Sequence, residues 1–449
     1  MRSNRRSRLI SGWPVLVASV HCAALLHCVQ LDDGAADGGA ADAGAMAKTW
    51  GTAEHIHIDG EEPDVAMDPA GNAVAVWNQL EGLWSNRYTP AGGWGTVERI
   101  GRLGDSLPGA TVAMDANGNA VGIGIEVFIL TNVWANRYTP GDGWGRRTLL
   151  DDNSGNALGA QVSVNADGSA VSVWSQSDGS RDNIWANRSS PAGEWGAPQL
   201  IETDNEGDAS EPQVAMDPDG NTVAVWSQFD GMRDNIWANR SSPASGWGTA
   251  RRIEANNAGG ASGPQVATDP DGNAIAVWSQ SDGTRANIWA NRYSPGDEWS
   301  TAEPIETNDT GDALGPQLGM DDNGNAVAVW SQSDGTRASI WANRYSGDEW
   351  GTALRIDEND VGDALDPQVA VDPNGSAVAV WQQFDGMRDN IWANHCSAGG
   401  GWDTALRIDV NHVGTIGKAQ VAMDDNGTAV AVWSVLGLSD HGVWSNRLD

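Results

Sequence analysis

Lysine is almost missing from this chain: Lys48 and Lys418 are the only two among 26 cationic residues, set against 60 Asp and Glu for a formal net charge of -34. Phosphate recognition is driven by clustered Lys and Arg, so the composition argues against nucleic acid and anionic lipid headgroups as partners. Cysteine is nearly as scarce. Cys22 and Cys28 lie at the extreme start of the chain, and Cys396 stands alone beyond them, which leaves no disulfide framework once a leader is removed. Long apolar runs are absent except from Leu9 to Leu26, and that one is broken by Pro14, Ser19 and His21. With Arg2, Arg5, Arg6 and Arg8 before it, the segment 1–28 reads as an export signal rather than a transmembrane anchor. Cys28 sits where a lipidated Cys would stand after Leu25 and Leu26, although His27 occupies a position that favours a small residue. Lipid anchoring, secretion and retention of the leader all stay open. Residues 29–48, rich in Asp, Gly and Ala, read as a flexible linker.

Tryptophan, by contrast, is abundant, with 24 copies, and all but Trp13 fall in three registers. The first, in an AVW run, holds Trp77, Trp174, Trp226, Trp278, Trp330, Trp381 and Trp433, with Gly124 in the place of the missing one. A second register, within WAN or WSN, runs from Trp84 to Trp444, and a third from Trp50 to Trp402. The spacing of about 50 residues is that of propeller blades and too long for most helical repeats.

One copy, Gln265–Trp299, shows how the unit folds. Four short β-rich segments are expected, at Gln265–Asp269, Asn273–Trp278, Asn287–Tyr293 and Trp299–Ile305. A DPDG turn joins the first two, with Pro and Gly placed as a tight hairpin requires. Ala274, Ala276 and Trp278 share one strand face, and Ile275 and Val277 the other. A sheet apolar on both faces suits radial stacking. The last copy ends at Asp449 without a fourth strand, whereas Trp50–Ile56 at the other end is a fourth strand without a copy. The sequence therefore predicts an all-β, eight-bladed β-propeller over residues 49–449, with four antiparallel strands per blade, closed by its N-terminal strand.

Candidate functional groups come from a loop between the second and third strands. SQ(S/F)DG(S/M/T)R recurs in copies three to seven and supplies Gln176, Asp178 and Arg181; Gln228, Asp230 and Arg233; Gln280, Asp282 and Arg285; Gln332, Asp334 and Arg337; and Gln383, Asp385 and Arg388. Five Arg forks facing the acidic links between blades would form a binding face; the alternative is that each Arg pairs with a neighbouring Asp to fix its loop. The DPDGN turns carry calcium-type oxygen ligands, but their third position varies freely, as turn chemistry allows and a ligand set does not. No cofactor is expected. His55 and His57 lack a third metal ligand, and His395 and Cys396, adjacent on a strand, point to opposite faces.

At the turn before the third Trp, the segments Ser189–Trp195 (SSPAGEW), Ser241–Trp247 (SSPASGW) and Ser294–Trp299 (SPGDEW) resemble the Asp-box of sialidase-like propellers, Ser-x-Asp-x-Gly-x-x-Trp. Pro191 and Pro243 stand where the Asp belongs. The resemblance implies that family's fold. Its Arg triad, Tyr nucleophile and acid do not map onto this chain, because all four Tyr (Tyr88, Tyr138, Tyr293, Tyr345) occupy one repeat position. The expectation is an exported, monomeric, non-enzymatic propeller that binds an extracellular glycan or surface protein. Two alternatives remain: a glycoside hydrolase or lyase built on the irregular copies, with Glu126 or with Asp440 and His441, and a structural envelope spacer.

Overall fold

The computed structural model describes residues 48–449, apart from 81, 103–108, 128, 153, 204–205, 255–257, 308–309, 358–360, 411, 413 and 438. The leader, Cys28 and nearly all of the linker lie outside the described residues. Within them the chain is all-β and forms eight sheets, each built of four antiparallel strand positions, the outermost position often split into two short pieces. No helix among the described residues is long and apolar enough to cross a membrane.

Blade 5 illustrates the unit, with strands at Ala261–Thr268, Ala274–Ser281, Ala286–Tyr293 and Glu303–Pro304 in that lateral order. The second and third strands pair in continuous register from Ala274 opposite Tyr293 to Ser281 opposite Ala286. The first strand begins four residues before the sequence expectation, because pairing resumes at Ala261 across a bulge between Ser262 and Gln265. The same bulge recurs at Leu158/Gln161, Ser210/Gln213, Leu314/Gln317 and Leu365/Gln368. The first hairpin is locked by its Asp. In blade 4 the Asp217 carboxylate accepts Asn221 N–H at 2.8 Å and the Asn221 side-chain amide at 2.8 Å, and Gly220 supplies the positive φ of 82° that closes the turn.

Stacking between blades follows the alternation read from the sequence. One core cluster packs Val223, Val225, Ile236 and Ala238 of blade 4 against Ala274, Ala276 and Trp278 of blade 5; the same layer recurs between blades 5 and 6 and between blades 6 and 7. The second-strand Trp residues are fully buried. Each hides roughly 150–250 Å², worth at most about 4–6 kcal/mol at about 25 cal/mol/Å². In blade 2, where Gly124 replaces that Trp, the cross-strand Trp134 fills the gap, so that a Cβ on Gly124 would lie 2.6 Å from its ring.

The two ends of the described propeller close the ring. Glu54–His57 pairs with Gly442–Leu448, and Trp50 bridges Leu448. Thr49 and Asp449 exchange backbone hydrogen bonds at 3.0 and 3.1 Å. Residues from the first strands of the blades line one axial cavity of about 670 Å³, which makes the first strand the innermost.

Candidate functional site

The repeated loops do share a face with the links between blades, but their side chains are largely turned to structure. The five glutamines are buried. Each accepts the indole N–H of the core Trp two residues earlier, as from Trp226 to Gln228 at 2.9 Å and from Trp381 to Gln383 at 2.9 Å. Their amides then donate to carboxylates at the start of the inter-blade link: Gln176 to Asp152 at 2.8 Å, Gln228 to Glu202 at 2.7 Å, Gln280 to Glu254 at 3.2 Å and Gln383 to Asp357 at 3.3 Å. Blade 1 keeps only the second half of this arrangement: Gln79 donates to Asp59 at 2.9 Å, while the Trp77 indole N–H and the Gln79 side-chain oxygen are buried without a partner. Burial raises the carboxyl pKa of Glu254, against the opposing pull of Gln280 and Arg252.

Asp178, Asp230, Asp282, Asp334 and Asp385 each cap their own loop by accepting backbone N–H groups two and three residues on. The Ser180, Thr284 and Thr336 hydroxyls join them. Hydrogen bonding, led by the Thr336 hydroxyl, pulls Asp334 down to about 2. Arg181 and Arg337 lie 3.8 and 3.7 Å from Asp178 and Asp334, Arg388 donates to the His412 carbonyl at 2.6 Å, and Arg233 and Arg285 are half-buried. These residues sit blade by blade in separate loops and do not converge on one centre.

A different set of groups does converge, in the clefts between neighbouring blades. The Asn-Arg pair on the third strand of one blade meets the Tyr or Ser and the third-register Trp of the next. Between blades 5 and 6, Arg292, Asp297, Glu298, Glu303, Tyr345 and Trp350 wall a pocket of about 240 Å³. The equivalent cleft between blades 3 and 4, with Arg188, Gln199, Ser241 and Trp247, holds about 180 Å³. The cleft at the ring closure, with Arg447, Tyr88 and Trp94, holds about 150 Å³.

In the cleft between blades 5 and 6, Arg292 lies 5.6 Å from the Tyr345 ring centroid and donates to Asp348 at 2.8 Å. Tyr345 and Trp350 meet edge to face at 5.6 Å. Burial, reinforced by Asp348, raises the Tyr345 pKa and keeps its phenol protonated. Arg240 stacks on Tyr293 at 3.7 Å in the cleft between blades 4 and 5.

One substitution separates these clefts into two kinds. Trp94 donates its indole N–H to Ser445 at 2.7 Å, and Trp144 donates to Ser85 at 3.1 Å. The position of those serines is Ala186 before Trp247 and Ala290 before Trp350. There, among the described residues, the indole N–H has no partner and the cleft is open to one.

The irregular copies hold no assembled centre. Glu126 is paired with Arg147 at 2.8 Å, and Arg147 lies 5.4 Å from the Trp134 ring centroid. Asp440 accepts the Trp444 indole N–H through its backbone carbonyl, and His441 bonds Asp59 at 2.9 Å. His395 bonds Asp403 at 3.0 Å while Cys396 is buried. A bulge separates His55 from His57, and no group of three metal-ligating side chains exists among the described residues. The clefts escaped the sequence reading because their walls lie in successive copies; the Ser-for-Ala exchange before Asn was the visible signal.

No protein-family model matches the chain, and no curated protein does. Solved structures are similar in fold. The BP39L lectin from Burkholderia pseudomallei is 12% identical, with 78% of this chain and 100% of the lectin covered and a TM-score of 0.55. A polysaccharide lyase described as an ulvan lyase is 12% identical, covering 87% of this chain and 94% of its own, with a TM-score of 0.50. The Hadza microbial sialidase Hz136 is 16% identical over 72% of this chain and 74% of its own, with a TM-score of 0.41.

Proposed function

We propose that this chain is an exported, non-enzymatic glycan-binding propeller whose sites are the clefts between blades. The observation that carries the reading is the unpartnered indole N–H of Trp247 and Trp350, set beside an Arg and, at Trp350, a Tyr ring. Aromatic faces, a fixed guanidinium and acidic acceptors are the groups that hold a sugar ring by its C–H face and hydroxyls. A cleft of about 240 Å³ is below the roughly 300–1,000 Å³ of drug-sized pockets, which suits one ring. Repetition around the circle adds avidity without strong single sites. The lectin and lyase of similar fold support a glycan-related reading, and fold alone assigns no activity.

The test is glycan-array binding by the full chain and by Trp247→Phe/Trp350→Phe, which keeps an aromatic ring at both positions and removes both N–H groups. Loss of one such bond, worth about 0.5–1.5 kcal/mol, weakens each site roughly 2–10-fold. Trp144→Phe is the control, since Ser85 already holds its N–H. No saturable ligand, or equal binding by the double variant, would sink the reading.

A further inference from the structure

We infer that the axial channel is a second binding site, one that takes a linear, uncharged oligosaccharide segment. It shares no residue with the inter-blade clefts and does not rest on them.

Gln161, Gln213, Gln265, Gln317, Gln368 and Gln420 occupy one register, each opposite a second-strand valine, and all six line the cavity of about 670 Å³. Among the described residues none of their side-chain amides has a hydrogen-bond partner. The glutamines of the loop face, by contrast, are bonded at both ends of the amide. Repeat copying around the ring accounts for the identity of the six and for their facing one void; what sets them apart from the loop-face glutamines is that their amides are left without partners there.

The chemistry of the ring selects the occupant. Each amide offers one acceptor oxygen and two N–H donors, so the wall presents both kinds of group at one height. Hydroxyl groups match such a wall because each donates and accepts; a ligand that reproduces the bonds of the displaced water gives up little on entry. A bare cation needs oxygens converging at about 2.3–2.6 Å, which a void of this volume does not offer.

Charge excludes the acidic sugars. Glu61 and Glu62 line one end of the cavity, and Lys418 beside them is held by Asp366 at 2.8 Å. Glu62, Glu211 and Asp366 keep a left-handed backbone, with φ of 48°, 54° and 51°, at the bulge position where Gly159, Gly263 and Gly315 stand in other blades. Glu62 lines the cavity itself, whereas Glu211 accepts the Gly263 N–H at 2.8 Å and Asp366 neutralises Lys418, at a backbone position that suits glycine.

The experiment follows the side-chain amide signals of the full-length protein carrying nitrogen-15 glutamine while neutral linear oligosaccharides, and separately oligo-uronates of matched length, are titrated in. The expected result is a saturable shift with the neutral series. It persists in Trp247→Phe/Trp350→Phe and weakens at least tenfold in Gln213→Leu/Gln317→Leu. Should the Leu pair unfold, Gln213→Glu/Gln317→Glu, of nearly equal shape, removes the donors and is expected to weaken the shift equally. Unmoved amide signals at saturating sugar, a stronger response to the uronates, or loss of the shift only in the Trp variants overturns the inference. Failure of the array experiment leaves this result readable on its own.

Discussion

Asp64 stands in the axial ring where six other blades place glutamine, and it makes the stability of the ring depend on pH. Its carboxylate accepts the N–H of Val112 at 2.9 Å and of Val65 at 2.9 Å. Burial nevertheless dominates and raises its pKa from 3.8 to about 6. A carboxyl whose pKa is raised by folding binds its proton more tightly in the folded chain, so stability falls as pH rises through the interval between the unfolded and folded values. At about 1.36 kcal/mol per pKa unit the penalty approaches roughly 3 kcal/mol above the folded pKa, and water in the channel makes that an upper figure. Asp64→Asn keeps a carbonyl acceptor and removes the titration. Guanidinium unfolding of both proteins from pH 4 to 8 isolates this group, because every other carboxylate cancels in the difference. Relative to the variant, the wild type is expected to lose about 1–3 kcal/mol across that range. A flat difference, or one of opposite slope, refutes the account of Asp64.

Two further perturbations test the packing. Gln228→Leu strands the Trp226 indole N–H and takes a donor from buried Glu202, so it is expected to cost about 2–4 kcal/mol in denaturant unfolding while leaving cleft binding unchanged; a loss of glycan affinity at full stability would restore the loop face as a site. Gly124→Trp, which looks like a repair of the repeat, puts a side chain where Trp134 already sits. Thermal unfolding should show about 1–3 kcal/mol or more of destabilisation by overpacking, and a rise in Tm would show that the site can be repacked.

The architecture was legible because its causes are local and repeated. Alternating Ala-Ala-Trp and Ile-Val faces, DPDG turns, an orphan fourth strand at one end and a copy lacking its fourth strand at the other were enough to give blade count, stacking and closure. The first strand is expected to start at Gln265, but a bulge absorbs Gly263 and Pro264 and pairing continues to Ala261. The functional surface was less legible. Gln280 lies two residues after Trp278, on the same strand face, and so follows it into the interior rather than toward a ligand. The cleft at Trp350 escaped notice because its wall at Ala290 is a whole copy away. Contacts across such intervals depend on how the sheets stack, which periodicity within one copy does not show.

The closure also sets how the ring bears load. Trp50 lies beside Leu448 at the same end of the strand pair where the described chain enters and leaves, so a pull between Lys48 and Asp449 peels the ladder one bond at a time. A pull on Lys48 against a ring held at its outer face instead loads the Glu54–His57 pairing along its length. The bonds of that ladder then share the force, and rupture is governed by the unfolding rate under load rather than by equilibrium stability. The same seam that opens easily between the two ends of the described propeller is thus the stronger one when the ring itself is held.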